Sequence, residues 1–277
     1  MTKRLSPIFP IFEKQHSEAK AIFFHLIKQM KSKKSIELLG KVSFLELFSE
    51  LMISVHMDEQ IIKEDIFSPF RPLQKNLRKI YHHKLVEASL QEKIKETGKH
   101  YNRFSKQLDA YKKDLYNRTY DMIVGSTLEH WDEFHDVALE ASRGLKPLML
   151  NSGINQVMRQ ELEQFHLDQT GTLGTQKLKE IYQGIRRIII LENILIQIGF
   201  NSIFPSETHD EINELKDSLK VWYKAHLTLQ SLTYFISHEP QPSAKYVNWL
   251  KDLTKAKKSL SLKAEGQAKS LFDKLLV

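Results

Sequence analysis

Basic side chains form the most chemically suggestive groups in this chain. Arg186 and Arg187 interrupt a run of Ile and Leu, with Lys177 and Lys179 two turns earlier. A second group comprises Arg78, Lys79, His82, His83 and Lys84, and Lys220 and Lys224 stand in a later segment of similar pattern. Such cations bind phosphates by charge pairing and counterion release, and a polyphosphate-like ligand needs many of them at once. The competing reading is a solvated face, or ion pairs with Glu180 and Glu192. Neighbours such as Arg78 and Lys79, or His82 and His83, point in different directions on a helix, so only some can face one ligand. The candidate polyanion-binding set is therefore Arg186, Arg187, Lys179, Arg78, Lys79, Lys220, Lys224 and His82.

A different chemistry is suggested by Asp132-x-x-His135 and Glu163-x-x-His166. This spacing puts carboxylate and imidazole on one helical face, as di-metal carboxylate bundles require. Glu129, His130, Glu133 and Asp136 make the first segment generally polar, however, and no further inward Glu can be assigned on two other helices. Solvated surface is the default for both. The glycines of Thr170-Gly171-Thr172-Leu173-Gly174-Thr175 lack the Gly-Lys-Ser/Thr ending of a phosphate loop, and no Gly-x-Ser-x-Gly elbow occurs. Trp131, Trp222 and Trp249 fall at helical spacing among apolar residues and read as core or seam anchors, not base-stacking platforms. The expectation is a non-catalytic protein without a cofactor, with nucleic acid not favoured as a partner.

The elements that position these residues are helical. Ten glycines and eight prolines in 277 residues are few, which favours long helices over hairpins. Zero cysteines exclude disulfides and thiolate chemistry and fit a reducing compartment. The net charge of +7 (41 basic minus 34 acidic) is compatible with a polyanion partner. The opening MTKRLSPIFPIFEKQ has no apolar core of signal length before Pro10 and Glu13, and the run from Ile188 to Phe200 is too short and polar to cross a bilayer. A cytoplasmic location without membrane association is expected.

Periodicity predicts a first helix on Ala19, Ile22, Phe23, Leu26 and Met30, and a second capped by Ser35 and ending near Val55. A helix from Pro72 to about Leu90 precedes a long charged segment, Gln91 to Val124, with a possible break at Gly98. Ser126 or Thr127 caps the Trp131 helix, which ends at Gly144 and Pro147. The next helix follows Asn151-Ser152-Gly153 and runs to about His166. Helices over Lys177 to Ile198, from Ser206, and after Glu239-Pro240-Gln241-Pro242 complete the chain.

Sliding the chain against itself shows similarity at one offset of 142, the separation of Leu73 from Leu215. At this offset Leu77, Tyr81, Leu85, Ser89 and Leu90 meet identical residues at Leu219, Tyr223, Leu227, Ser231 and Leu232. Leu39, Leu47 and Glu50 face Ile181, Ile189 and Glu192 in the same register. Tyr, Ser and the shared offset carry more weight than leucines at steps of four. An all-α fold of two similar antiparallel bundles, about 1–125 and 126–277, related by a pseudo-two-fold, is expected.

A basic helix, a turn and a helix with leucines at steps of four, present twice in an all-helical chain of this size, resembles the CHAD family (conserved histidine α-helical domain). The resemblance implies one domain of two bundles across 1–277, with a basic channel that binds polyphosphate or similar polyanions. The family histidine falls at Glu37 and Lys179, and its arginine at Gly40 and Tyr182. Its paired basic residues are kept as Arg186-Arg187, while the first-half positions hold Phe44 and Leu45. A structural or protein-interaction module that has lost the ligand is the alternative to polyanion binding, with a di-metal enzyme behind both.

Overall fold

The computed structural model describes residues 5–56, 66–165 and 173–275. Among the described residues there are nine α-helices, one short 3-10 turn and no strand; an isolated bridge joins Leu5 and Arg143. Met1–Arg4, His166 and Gln169–Thr172, on which some of the sequence readings fall, lie outside the described residues.

Helix α1 (Ile8–Lys28) begins well before the predicted apolar stripe and buries Ile8, Phe9 and Phe12. Pro10 sits in the first turn of this helix, where a backbone N–H has no helical acceptor. In α2 (Ser32–Val55), Ser35 is no cap: it lies within the first turn, and its hydroxyl donates to the Lys31 carbonyl at 2.9 Å. A turn at Ser68–Phe70 leads into α3 (Arg71–Thr97), which α4 (Asn102–Gly125) follows. The break between them is at Gly98, whose φ of 64° suits a residue without Cβ and whose N–H donates to the Ile94 carbonyl.

Helix α5 (Glu129–Ser142) has no side-chain cap at its start, and the Ser126 hydroxyl donates back to the Ile123 carbonyl instead. Helix α6 (Pro147–Gln164) starts at Pro147, so Asn151-Ser152-Gly153 is helical and not a turn. Gly153 serves close approach: a Cβ added there would overlap the Val55 side chain at the end of α2. Helices α7 (Thr175–Gln197), α8 (Ser206–His238) and α9 (Ala244–Leu275) follow near the expected positions.

Packing divides the chain into two compact units. The first comprises Met1–Tyr81, Asp114–Glu161 and Arg187–Ile203; the second comprises His82–Lys113, Leu162–Arg186 and Phe204–Val277. Each draws on residues before and after position 125. The first unit packs α1 against α2 and α5 around an aromatic core, with Phe12 4.5 Å from Phe48 and Trp131 4.9 Å from Phe70 between ring centroids. The second packs α8 against α9, with Tyr101 5.1 Å from Trp249 and Phe104 5.3 Å from Phe235. All three tryptophans are buried, as core anchors should be.

Candidate functional site

The structure sorts the candidate cations by their partners. Arg187 belongs to the first unit, where it pairs with Glu50 on α2 and lies 2.5 Å from the Glu161 carboxylate on α6. Burial opposes its charge, but the hydrogen bond to Glu50 and the two carboxylates outweigh it and raise its pKa above the usual value. Its partners are not the Glu180 and Glu192 suggested by sequence proximity; Glu192 is buried and accepts the Ile203 N–H at 3.0 Å. Arg78 and Lys79, half-buried on α3, also belong to the first unit.

The other candidates fall in the second unit. Lys224 pairs with Glu92 at 2.7 Å, and Lys220 is exposed. Arg186 is exposed, with its guanidinium 5.7 Å from the Tyr182 ring centroid. His82 shares a 2.9 Å hydrogen bond with the Tyr223 hydroxyl. Lys179 is half-buried on α7, close enough for its charge to act on His226 of α8.

His226 is the centre of this arrangement. It lies one turn after Trp222 on the buried face of α8, only 4% exposed, and the two rings stack at 5.6 Å with 6° between their planes. The Trp222 indole is fixed by donating to the Ser261 hydroxyl on α9 at 2.8 Å. Both His226 ring nitrogens are buried without a hydrogen-bond partner. Burial, then the positive charges of Lys257 on α9, Lys179 on α7 and His82 on α3, push its pKa down from 6.5 to about 4. No carboxylate is among the groups that act on it. Lys257 itself donates to the Thr175 hydroxyl at 3.3 Å.

Comparison of the chain with known protein families, characterised proteins and solved structures finds no match. The site is read from its own chemistry. An unpartnered buried imidazole costs about 1–3 kcal/mol. An anion would relieve that cost by accepting from an imidazole N–H, and its charge suits the neighbouring lysines.

Periodicity alone does not find His226, Lys257, Ser261 or Thr175. A signal for His226 exists: it stands four residues after Trp222 and seven after Leu219, on the apolar stripe. Lys257 carries no comparable signal, being one of many lysines in α9.

The [Asp/Glu]-x-x-His segments show other contacts. Asp132 accepts from Lys20 at 2.5 Å, and this bond lowers its pKa. His135 lies 3.5 Å from Asp136 and has its ring 5.4 Å from that of His16. Among the described residues, no group of three or more His, Asp or Glu is arranged to hold a metal ion. No described helix is long and apolar enough to cross a membrane.

Proposed function

We propose that the protein is a non-catalytic polyanion-binding protein whose ligand is polyphosphate-like and whose contacts centre on the second unit. The observation that carries this reading is His226, buried with both nitrogens unpartnered beside Lys179, Lys257 and His82. Arg186 and Lys220 add exposed positive charge in the same unit. Arg187 and Lys224, held by carboxylates, are assigned to stability instead. The CHAD-like resemblance, with its internal duplication, single two-bundle domain and cytoplasmic setting, belongs to this reading and agrees with its ligand class. The loss of the family histidine positions means that the cations used here are largely this chain's own.

The test is titration of long-chain polyphosphate at two salt concentrations against wild type and a Lys179→Glu/Arg186→Glu variant. Saturable binding that weakens with salt, and weakens at least tenfold in the variant, is expected. Binding indifferent to both changes overturns the reading. A helical protein-interaction module is the second reading, favoured by the exposure of Leu148 (70%) and Met149 (42%) at the start of α6.

A further inference from the structure

The proposed function concerns a long polyanion and the charge that attracts it. The surroundings of His226 are more specific. The Trp222–Ser261 bond sets α8 against α9 so that His226 and Lys257, each four residues away from that pair, face one another, and Lys257 reaches Thr175, one turn before Lys179 on α7. Trp222 and Tyr223 flank the imidazole on α8 itself. The titratable groups that act on the imidazole are Lys257, Lys179 and His82 of α3. The ring is held flat on Trp222, and Trp222 is held by Ser261, so the imidazole has a fixed orientation before any ligand arrives. Lys257 is tethered to Thr175 in the same way.

We infer that His226, Lys179 and Lys257 form a discrete oxyanion site for one tetrahedral group, such as a terminal phosphoryl, and that His226 takes up a proton when the anion binds. This deepens the polyanion reading and rests on it. The chemistry is balanced: the anion enters with its charge, one proton passes from solvent to the free ring nitrogen, and no covalent bond is made or broken. A neutral imidazole can donate one N–H, whereas imidazolium donates two. Without an anion, burial first and the neighbouring lysines second hold the ring neutral; an oxyanion beside it opposes the field of the lysines.

The experiment titrates the full-length protein with inorganic sulfate, whose charge is constant over the range, at about pH 6 and about pH 7.5. Affinity is read by calorimetry and the protonation of His226 by the shifts of its ring nitrogens. Saturable binding at one site, roughly tenfold tighter at the lower pH, with imidazolium shifts in the complex, is expected. His226→Phe keeps the stack on Trp222 and should abolish the pH dependence. Lys257→Gln, a half-buried change that leaves the core intact, should weaken sulfate about tenfold while keeping the pH dependence. Equal affinity and pH dependence in His226→Phe, or unaltered affinity in Lys257→Gln, overturns the inference. Long-chain polyphosphate in a parallel arm separates the two claims. If it binds wild type with salt dependence while sulfate does not bind, the polyanion reading stands and the discrete site falls. If neither ligand binds, both fall.

Discussion

Two buried histidines, each 4% exposed, meet opposite surroundings. His16, on α1 in the first unit, has its Nε2 2.9 Å from the Trp131 carbonyl and its ring against Phe12 at 5.5 Å. His226, in the second unit, stacks as well, but neither ring nitrogen has a hydrogen-bond partner and no carboxylate acts on it. The cations differ too: Arg187 of the first unit has two carboxylates, whereas the charges of Lys179 and Lys257 act on an imidazole and lower its pKa after burial has done so. Burial alone therefore does not mark a site, and neither does positive charge. The unpartnered nitrogens are what set His226 apart from His16, and the anion-site proposal is built on them.

The largest expected effect sharpens this contrast through pH. Both histidines have folded pKa values below the unfolded 6.5, so the unfolded state binds more protons in acid. Their contribution to stability is full above about pH 7 and is lost as pH drops through 6.5 towards the folded value, about 4 for His226. The His226 contribution to that loss is about 3 kcal/mol by pH 4. Urea denaturation between these limits should show it, and His226→Phe should remove much of the slope. For His16, burial lowers the pKa but the Trp131 carbonyl bond raises it, so His16→Phe should change the slope less. Equal slopes in the two variants would break the comparison.

Removing Arg187 should have the next largest effect. Arg187→Met leaves Glu50 and the mostly buried Glu161 without their cation and should cost about 2 kcal/mol in denaturant unfolding, discounted for the partial exposure of the pair. Polyphosphate affinity should be unchanged in the same variant, in contrast to Lys179→Glu. Smaller and opposite in sign, His226→Phe should stabilise the ligand-free protein at neutral pH by about 1 kcal/mol, because two buried nitrogens without partners are removed. A destabilised His226→Phe protein, measured the same way, would mean that the ring is a structural group like His16. The smallest effect belongs to Lys224→Met: its pair with the exposed Glu92 should contribute no more than about 0.5 kcal/mol by thermal melting.

The all-helical class was legible in composition and periodicity, and the break at Gly98 and the start at Ser206 were legible in local chemistry. The start of α6 was missed because Pro147, which follows the end of α5, also opens the next helix, where its missing N–H costs nothing. Gly153 read as a turn because its reason is tertiary, the approach of Val55. The site was half legible. Lys179, Arg186 and His82 could be chosen by type, but the fate of a charge depends on partners far along the chain: Glu50 lies 137 positions from Arg187. For His226 the sequence shows burial by spacing, while the lack of a hydrogen-bond partner is a property of the packed unit alone.

The most direct test is titration of the isotope-labelled protein with long-chain polyphosphate at low salt, following the His226 ring nitrogens. Saturable movement of those resonances towards imidazolium, reversed by added salt, is the predicted result. Polyphosphate binding that leaves the His226 ring unperturbed, or no binding at low salt, would contradict the account.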